Sequence, residues 1–300
     1  MGIFTFPWPV WPILCRKMVM LYRISFLVFS VLLLAGCDVS LNGSPEPRTK
    51  EMVYSYSCID SAVAGKEINK TIGKAGDLIR DFAIDEKEVS DEVQNQYGEM
   101  FHTDALDTKM FTIIKDDALQ QQLNTILTEL LEVRKNPSSI KYLIYPLKDT
   151  VVNAFTFGGR IYITQAMLDK TRGRPALLYA IIGHEIGHSE KGHIKKTIQE
   201  MLLSEKIFGE SGMTVFQIKR MLTGSFNQKN ELEADYYGTD LTYALNQDVC
   251  AAVVFWKEMS TLENKYNQLE DFFRSHPFSA LRAECLENHI RQNFESSCFK

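Results

Sequence analysis

The 300-residue chain carries no internal repeat, no low-complexity block and no regular alternation of strand-like with helix-like runs. The first two absences exclude solenoids, arrays and disordered scaffolds. The third excludes a doubly wound parallel sheet. Positive charge is in short supply as well: 33 Lys and Arg stand against 38 Asp and Glu, a net charge of −5. Nothing in that balance would neutralise a phosphate backbone, so nucleic acid is not an expected partner. A glycine-rich phosphate loop is also missing, since Gly158-Gly159 is an isolated pair and reads as a turn. Six cysteines are too few to scaffold a chain of this length. No apolar run reaches the ~20 residues that a membrane-spanning helix needs.

What the first forty residues do contain is an export signal. Arg16, Lys17 and Arg23 accompany the apolar run Phe26 to Leu34, and small residues follow, which is the order of a secretory signal. The run closes on Leu33-Leu34-Ala35-Gly36-Cys37, which resembles the lipobox of bacterial lipoproteins. The resemblance implies that residues 1–36 are a signal peptide and that Cys37, carrying lipid, begins the mature chain. Pro7, Trp8, Pro9, Trp11 and Pro12 are foreign to a signal start, so Met18 or Met20 is the expected initiator. Residues 37–50 are polar, hold two prolines and read as the lipidated cysteine and a flexible tether. The expected place is the bacterial cell envelope, lipid-anchored and facing the periplasm. Asp38 resembles the inner-membrane retention signal of enteric lipoproteins and tilts the choice that way. In an oxidising compartment the four remaining cysteines can pair. If the last helices form an antiparallel hairpin about residue 273, Cys250 faces Cys298, which leaves Cys58 with Cys285.

Residues 51–300 are long enough for one domain. Residues 51–135 look helical, and Leu119, Leu123, Ile126, Leu127, Leu130 and Leu131 recur at helical spacing over 116–135 before Asn136-Pro137 stops the run. Short β-like runs follow at Tyr142 to Leu147, Val151 to Phe157 and Arg160 to Thr164, the last two joined at Gly158-Gly159. From Pro175 to about 294 the pattern is helical, broken near Gly209 to Gly212 and Ser275 to Pro277. The expected fold is α+β: a mostly helical domain with a small β-sheet ahead of the helix that begins at Pro175, and a core over 140–294.

That helix reads Leu177-Leu178-Tyr179-Ala180-Ile181-Ile182-Gly183-His184-Glu185-Ile186-Gly187-His188. Histidines four apart share a helix face, so His184 and His188 can converge on one Zn²⁺. Glu185 stands beside the first of them, where it can take the proton of a metal-activated water without being a ligand. From 6 His and 38 acids, such a motif is expected by chance only about 0.015 times in the chain. A catalytic zinc needs a third ligand. The extended motif with a third histidine demands Gly at 191 and His at 194, but Lys191 and Ile194 stand there, so His193 is read as a surface residue on a continuing helix. The better candidate lies in Asn230-Glu231-Leu232-Glu233-Ala234-Asp235. Glu231 and Asp235 share a helix face; Glu231 can complete a His₂Glu set and Asp235 can hold the outer N–H of a ligand histidine.

These motifs resemble the HtpX-like family of gluzincin metallopeptidases, which includes the CAAX prenyl proteases and the mitochondrial Oma peptidases, and above all its bacterial lipoprotein members. The likeness covers roughly residues 140–290. It rests on His184 to His188, on Glu231 to Asp235 some 43 residues later, on Ser275-His276-Pro277-Phe278-Ser279-Ala280-Leu281-Arg282, and on Asn153 to Thr164. It implies that His184, His188 and Glu231 are the ligands of one zinc ion, that Glu185 is the general base, and that Asp235 orients His184. It also implies that His276 approaches the metal, to stabilise the oxyanion or gate access, with Arg282 alongside. Asn153-Ala154-Phe155 resembles an edge strand that binds substrate by β-pairing, a mode that tolerates varied side chains.

The expected function is a membrane-anchored zinc metalloendopeptidase acting on unfolded or misassembled envelope proteins, with the envelope assembly machinery as a further partner. The rival expectation is a periplasmic chaperone or assembly factor whose zinc site is closed by His276 as a fourth ligand. For the anchor, Cys37→Ser is expected to abolish incorporation of an alkyne-palmitate label, detected in gel. Undiminished labelling would refute it.

Overall fold

The computed structural model describes residues 51–59, 88–208, 226–262, 276 and 279–298. The expected signal peptide (1–36), Cys37, the expected tether, the expected hairpin turn about residue 273 and the expected break near Gly209 all lie outside the described residues. Those described belong to one compact unit, mostly helical with a small sheet, as the α+β reading expects. Among them, no helix is long and apolar enough to cross a membrane.

Helix α1 spans Asp91–Asp107, and its first turn is capped by Ser90, whose Oγ accepts from Val93 N–H at 3.3 Å. Helix α2, Asp117–Glu132, is capped in the same way by Asp116 and buries Leu123, Ile126, Leu127 and Leu130. It stops three residues short of the expected end, and Asn136 with φ 52° turns the chain away before Pro137.

The sheet follows. Strands β1 (Leu143–Leu147), β2 (Ala154–Phe157) and β3 (Arg160–Thr164) are ordered β1-β3-β2. β1 runs parallel to β3 with Tyr145 opposite Tyr162; β2 runs antiparallel to it with Phe155 opposite Tyr162. Gly158 and Gly159, at φ 54° and 81°, make the two-residue turn between β2 and β3. A Cβ there would lie 2.2 Å from Gln94 O or 2.4 Å from Lys141 O, so only glycine fits. β2 begins three residues later than the run Val151 to Phe157 suggests, because Val151 N–H is bound by Asp149 Oδ1 in a turn. Asn153 nevertheless extends the pairing: its N–H donates to Thr164 Oγ1 and its carbonyl accepts from Thr164 N–H, both at 3.0 Å. β2 is thus an edge strand.

Alternation along the strands divides the interior in two. Ile144, Ala154, Ile161 and Ile163 face a large core with the later helices, whereas Leu147, Phe157 and Tyr162 face a smaller one with Phe101 and Ala105 of α1. Helix α3 (Gln165–Thr171) then leads to α4 (Pro175–Glu190), which starts on a proline that needs no N–H partner and is buried almost all round. Beyond it lie α5 (His193–Phe208), α6 (Gln228–Ala244), α7 (Cys250–Leu262) and α8 (Ser279–Phe294).

α4 does not continue through His193 as the helical pattern suggests. It ends at Glu190, and Gly192 at φ 75° restarts the chain as α5. Two disulfides, Cys58–Cys285 and Cys250–Cys298, tie the segment 51–59 to α8 and the start of α7 to the chain beyond α8. The same segment is held by polar contacts: Val53 N–H to Asn293 Oδ1 at 2.7 Å, Tyr54 OH to Asp240 Oδ2 at 2.5 Å and Tyr236 OH to Ser55 O at 2.7 Å.

The tightest packing is between α4 and α6. A Cβ on Gly183 would fall 2.9 Å from Gly238 Cα, one on Gly187 3.0 Å from Ala234 Cα, and one on Gly238 2.6 Å from His184 N. Backbone meets backbone there, and no side chain can give way. Gly238→Ala is therefore expected to destabilise the fold by roughly 1–3 kcal/mol, the cost of overpacking, despite the better helix propensity of alanine. The midpoint of urea unfolding measures it; a variant as stable as wild type would show slack between the helices.

Candidate metal centre

α4 and α6 meet at this closest approach with the polar residues of both motifs facing each other. His184 and His188, one turn apart, bring their Nε2 atoms to 2.9 Å. Glu231 stands at the start of α6 opposite them, with Oε2 3.6 Å from His184 Nε2 and Oε1 3.5 Å from His188 Nε2. His276 completes the group: one potential ligand atom from each of His184, His188, Glu231 and His276 lies within 4.8 Å of all the others, and all four residues are buried.

The surroundings of these atoms decide what they can hold. One turn on from Glu231, Asp235 places Oδ1 3.0 Å from His184 Nδ1. Arg282 grips Asp235 with two hydrogen bonds, Nε to Oδ2 at 2.7 Å and Nη2 to Oδ1 at 2.8 Å, and sets Nη1 2.7 Å from Glu231 Oε2. Its guanidinium is stacked 3.5 Å above the Trp256 ring, and Trp256 Nε1–H also donates to Asp235 Oδ1. Burial alone would raise the Asp235 carboxyl, but the Arg282 charge and the bonds from Arg282 and His184 hold it well below the usual carboxylate range. Glu231 behaves alike: burial opposes the charge, and Arg282 and His276 overcome it. Asp235 Oδ1 thus stands at the outer nitrogen of His184, whose Nε2 is turned toward the cluster. Burial pushes His188 well below the normal histidine value, with neighbouring cationic and histidine groups adding to the effect, which favours its neutral form.

The donor set fits a divalent transition metal. Two imidazoles and a carboxylate converge, and Glu231 Oε1 is buried with no hydrogen-bond partner among the described residues. His184, His188 and Glu231 could hold the ion. Glu185, almost wholly buried, lies beside them, its pKa raised by burial against the pull of His276 and His184. Glu185, His184 and His276 line a cavity of about 30 Å³ with Ala154, Met167 and Trp256, room for a water or so at the carboxyl group.

His276 links this centre to the sheet. Its Nδ1–H donates to Glu231 Oε2 at 3.0 Å and its Nε2–H to the carbonyl of Ala154 at 3.1 Å, with Glu185 Oε1 3.8 Å from Nε2. Burial lowers its pKa, but the Glu231 charge and hydrogen bond outweigh that and raise it. Asn153, Ala154 and Phe155 thus border the centre along the edge strand.

With this geometry in view, comparison with known proteins is decisive. The model of peptidase family M48 matches residues 117–290. The chain belongs to that family. As an M48 member it is a metalloendopeptidase, and its similarity to characterised relatives is consistent with that. It is 27% identical to Metalloprotease LoiP of Escherichia coli over 195 residues, 59% of this chain and 71% of LoiP. It is 24% identical to human mitochondrial Metalloendopeptidase OMA1 over 205 residues, 60% of this chain and 39% of that protein. It is 22% identical to the Beta-barrel assembly-enhancing protease of Yersinia pestis over 200 residues, 60% of this chain and 40% of that one.

The structure brings together His184, Glu185, His188, Glu231, Asp235, His276, Arg282 and the strand Asn153 to Phe155. It also corrects one sequence reading. His193 is buried, not on the surface, because the break at Lys191-Gly192 swings it back beneath His188. Its Nδ1 is 3.1 Å from His188 Nδ1 and its Nε2 3.0 Å from Glu233 Oε2. The signal for this was Gly192, which could end α4, and Glu233 between the two recognised acids.

A depressed pKa means that the Asp235 carboxylate stabilises the fold fully above the unfolded value of about 4 and loses that contribution as pH falls toward the folded one. In metal-free protein, the stability gap between wild type and Asp235→Asn is therefore expected to shrink by about 1 kcal/mol from pH 6 to pH 3. Urea unfolding at the two pH values measures it; a constant gap would mean that Asp235 is not held ionised.

Proposed function

We propose that this M48 peptidase is a zinc enzyme, lipid-anchored through Cys37 and facing the periplasm, that cleaves unfolded or misassembled envelope proteins. The observation that carries the chemistry is the convergence of two histidines and Glu231 beside a buried glutamate, Glu185, whose proton affinity burial raises. His184, His188 and Glu231 would hold the zinc. When bound, the metal supplies Lewis-acid polarisation of the scissile carbonyl and lowers the pKa of water to about 7.

The chain's own residues do the rest. Glu185, raised by burial, takes a proton from water in the adjoining cavity and delivers it to the leaving amine. His276, whose Nε2–H donates to the Ala154 carbonyl in the substrate-free chain, would turn that N–H to the oxyanion. Arg282 keeps Glu231 and Asp235 ionised and aimed. β2 offers an extended backbone to a substrate strand, which suits an unfolded chain because pairing ignores side-chain identity. The export signal, the lipobox and the paired cysteines support the envelope location, and the likeness to the Beta-barrel assembly-enhancing protease supports a partner in envelope assembly.

A second reading draws on His276 as a member of the four-residue donor set. A closed site would suit a chaperone or assembly factor with little proteolysis. In that case, removing His276 would raise cleavage; if it supports the oxyanion, removing it lowers cleavage.

The reading as a zinc endopeptidase makes a direct prediction. The purified chain should hold one zinc per molecule, and chelation should stop cleavage of reduced, denatured casein. Glu185→Gln should keep the zinc and lose about 10²–10⁴-fold in turnover. Wild-type cleavage by Glu185→Gln, or a protein without zinc, would sink it.

A further inference from the structure

The two ligand histidines of the centre are not supported alike. His184 Nδ1 faces a carboxylate directly, at Asp235. His188 Nδ1 faces a third histidine, His193, 3.1 Å away, and that histidine leans on Glu233 at 3.0 Å. His193 is 2% exposed. Phe226 stacks on the His188 ring with centroids 4.2 Å apart and lies 5.9 Å from the His193 ring, which closes this side off from water.

When His184 and His188 both act as ligands, no hydrogen lies between their Nε2 atoms, 2.9 Å apart, and the hydrogen count along the rest of this chain has one solution. Glu233 Oε2 lies 3.0 Å from His193 Nε2 and its Oε1 3.4 Å from Lys229 Nζ, so the carboxylate accepts on both sides. His193 must therefore donate from Nε2, which leaves its Nδ1 as a lone pair in the neutral ring. Two Nδ1 atoms 3.1 Å apart need one hydrogen between them, and it sits on His188. His188 Nε2 is then the lone pair that points at His184 Nε2 and Glu231. Were Nδ1 of His188 the acceptor, its Nε2 would carry a hydrogen directed into the cluster and could not ligate.

We propose that His193 and Glu233 are positioning residues of the metal centre: Glu233 orients His193, and His193 fixes the tautomer and ring plane of His188. The proposal rests on the reading of His188 as a ligand. The centre is thus held by two acids of α6, Asp235 acting on His184 at first hand and Glu233 acting on His188 through one imidazole. Neither His193 nor Glu233 touches substrate or metal.

The test is zinc affinity of the full chain, by competition with a chromogenic chelator, with thermal unfolding of the zinc-free and zinc-loaded forms alongside. His193→Leu, which removes the acceptor, is expected to weaken zinc binding 10–100-fold. His193→Asn, whose amide oxygen can accept from His188 Nδ1–H, should recover most of that loss. Glu233→Ala, at a half-exposed site that tolerates truncation, should weaken binding by about tenfold. In each weakened variant the zinc-free melting temperature should stay near wild type while the zinc-loaded one falls. A purely structural role would lower both together and leave affinity unchanged, which would overturn the proposal; so would a His193→Asn variant no better than His193→Leu. If His193→Leu does not fold, Glu233→Ala decides alone. A His188→Ala variant with wild-type affinity would strike the ligand reading first and take this proposal with it.

Discussion

The distance between two helix backbones governs the rest of this molecule. Gly183 and Gly187 on α4 face Gly238 and Ala234 on α6, and a single added carbon on Gly238 would stand 2.6 Å from the amide nitrogen of His184. Only at this separation do short, stiff side chains suffice to bridge the helices. Imidazole, aspartate and glutamate have few rotatable bonds, so a centre built from them is rigid once the axes are set, and it tolerates no slack if they move apart. The requirement for small residues in helices that would rather have alanine is a local cost accepted for the sake of the site.

Close approach also creates an electrostatic difficulty, because Glu185, Glu231 and Asp235 are all buried within it. Arg282 resolves most of that. It enters from α8, lies flat on Trp256 and meets two of the three carboxylates at 2.7–2.8 Å. Fixing two acids as anions leaves the third, Glu185, as the one whose proton affinity is raised, so the cluster separates ligand-type carboxylates from a basic one by partner alone. His276 sits between the two kinds and ties both to the edge of the sheet.

Much of this was legible in the sequence because the chemistry is encoded at short range. His184, Glu185 and His188 fall within five residues, Glu231 and Asp235 within another five, and helix periodicity alone puts each set on one face. The hairpin at Gly158-Gly159 and the leucine-spaced run of α2 were readable for the same reason. His193 was not. Its position depends on where α4 ends, and a Lys-Gly pair after the motif is compatible with either a continuing helix or a break. The start of β2 was misjudged by three residues because Val151 has the right side chain for a strand but its amide is claimed by Asp149. In each case the missing information was a tertiary partner for a backbone or ring nitrogen, which no periodicity records.

The disulfide joins Cys58 to Cys285 across a sequence separation of 227, and every residue of the centre from Asn153 to Arg282 lies inside that covalent ring. For a peptidase this has a practical meaning. A cut anywhere between the two cysteines, whether by another protease or by a second copy of the enzyme, opens the ring but releases no fragment. The halves of the site remain on one molecule, and the many contacts between α4, α6 and α8 can hold them in place. Release of a fragment carrying part of the site then requires two cuts rather than one, a protection that follows from the topology of the crosslink and owes nothing to the specificity of the active site.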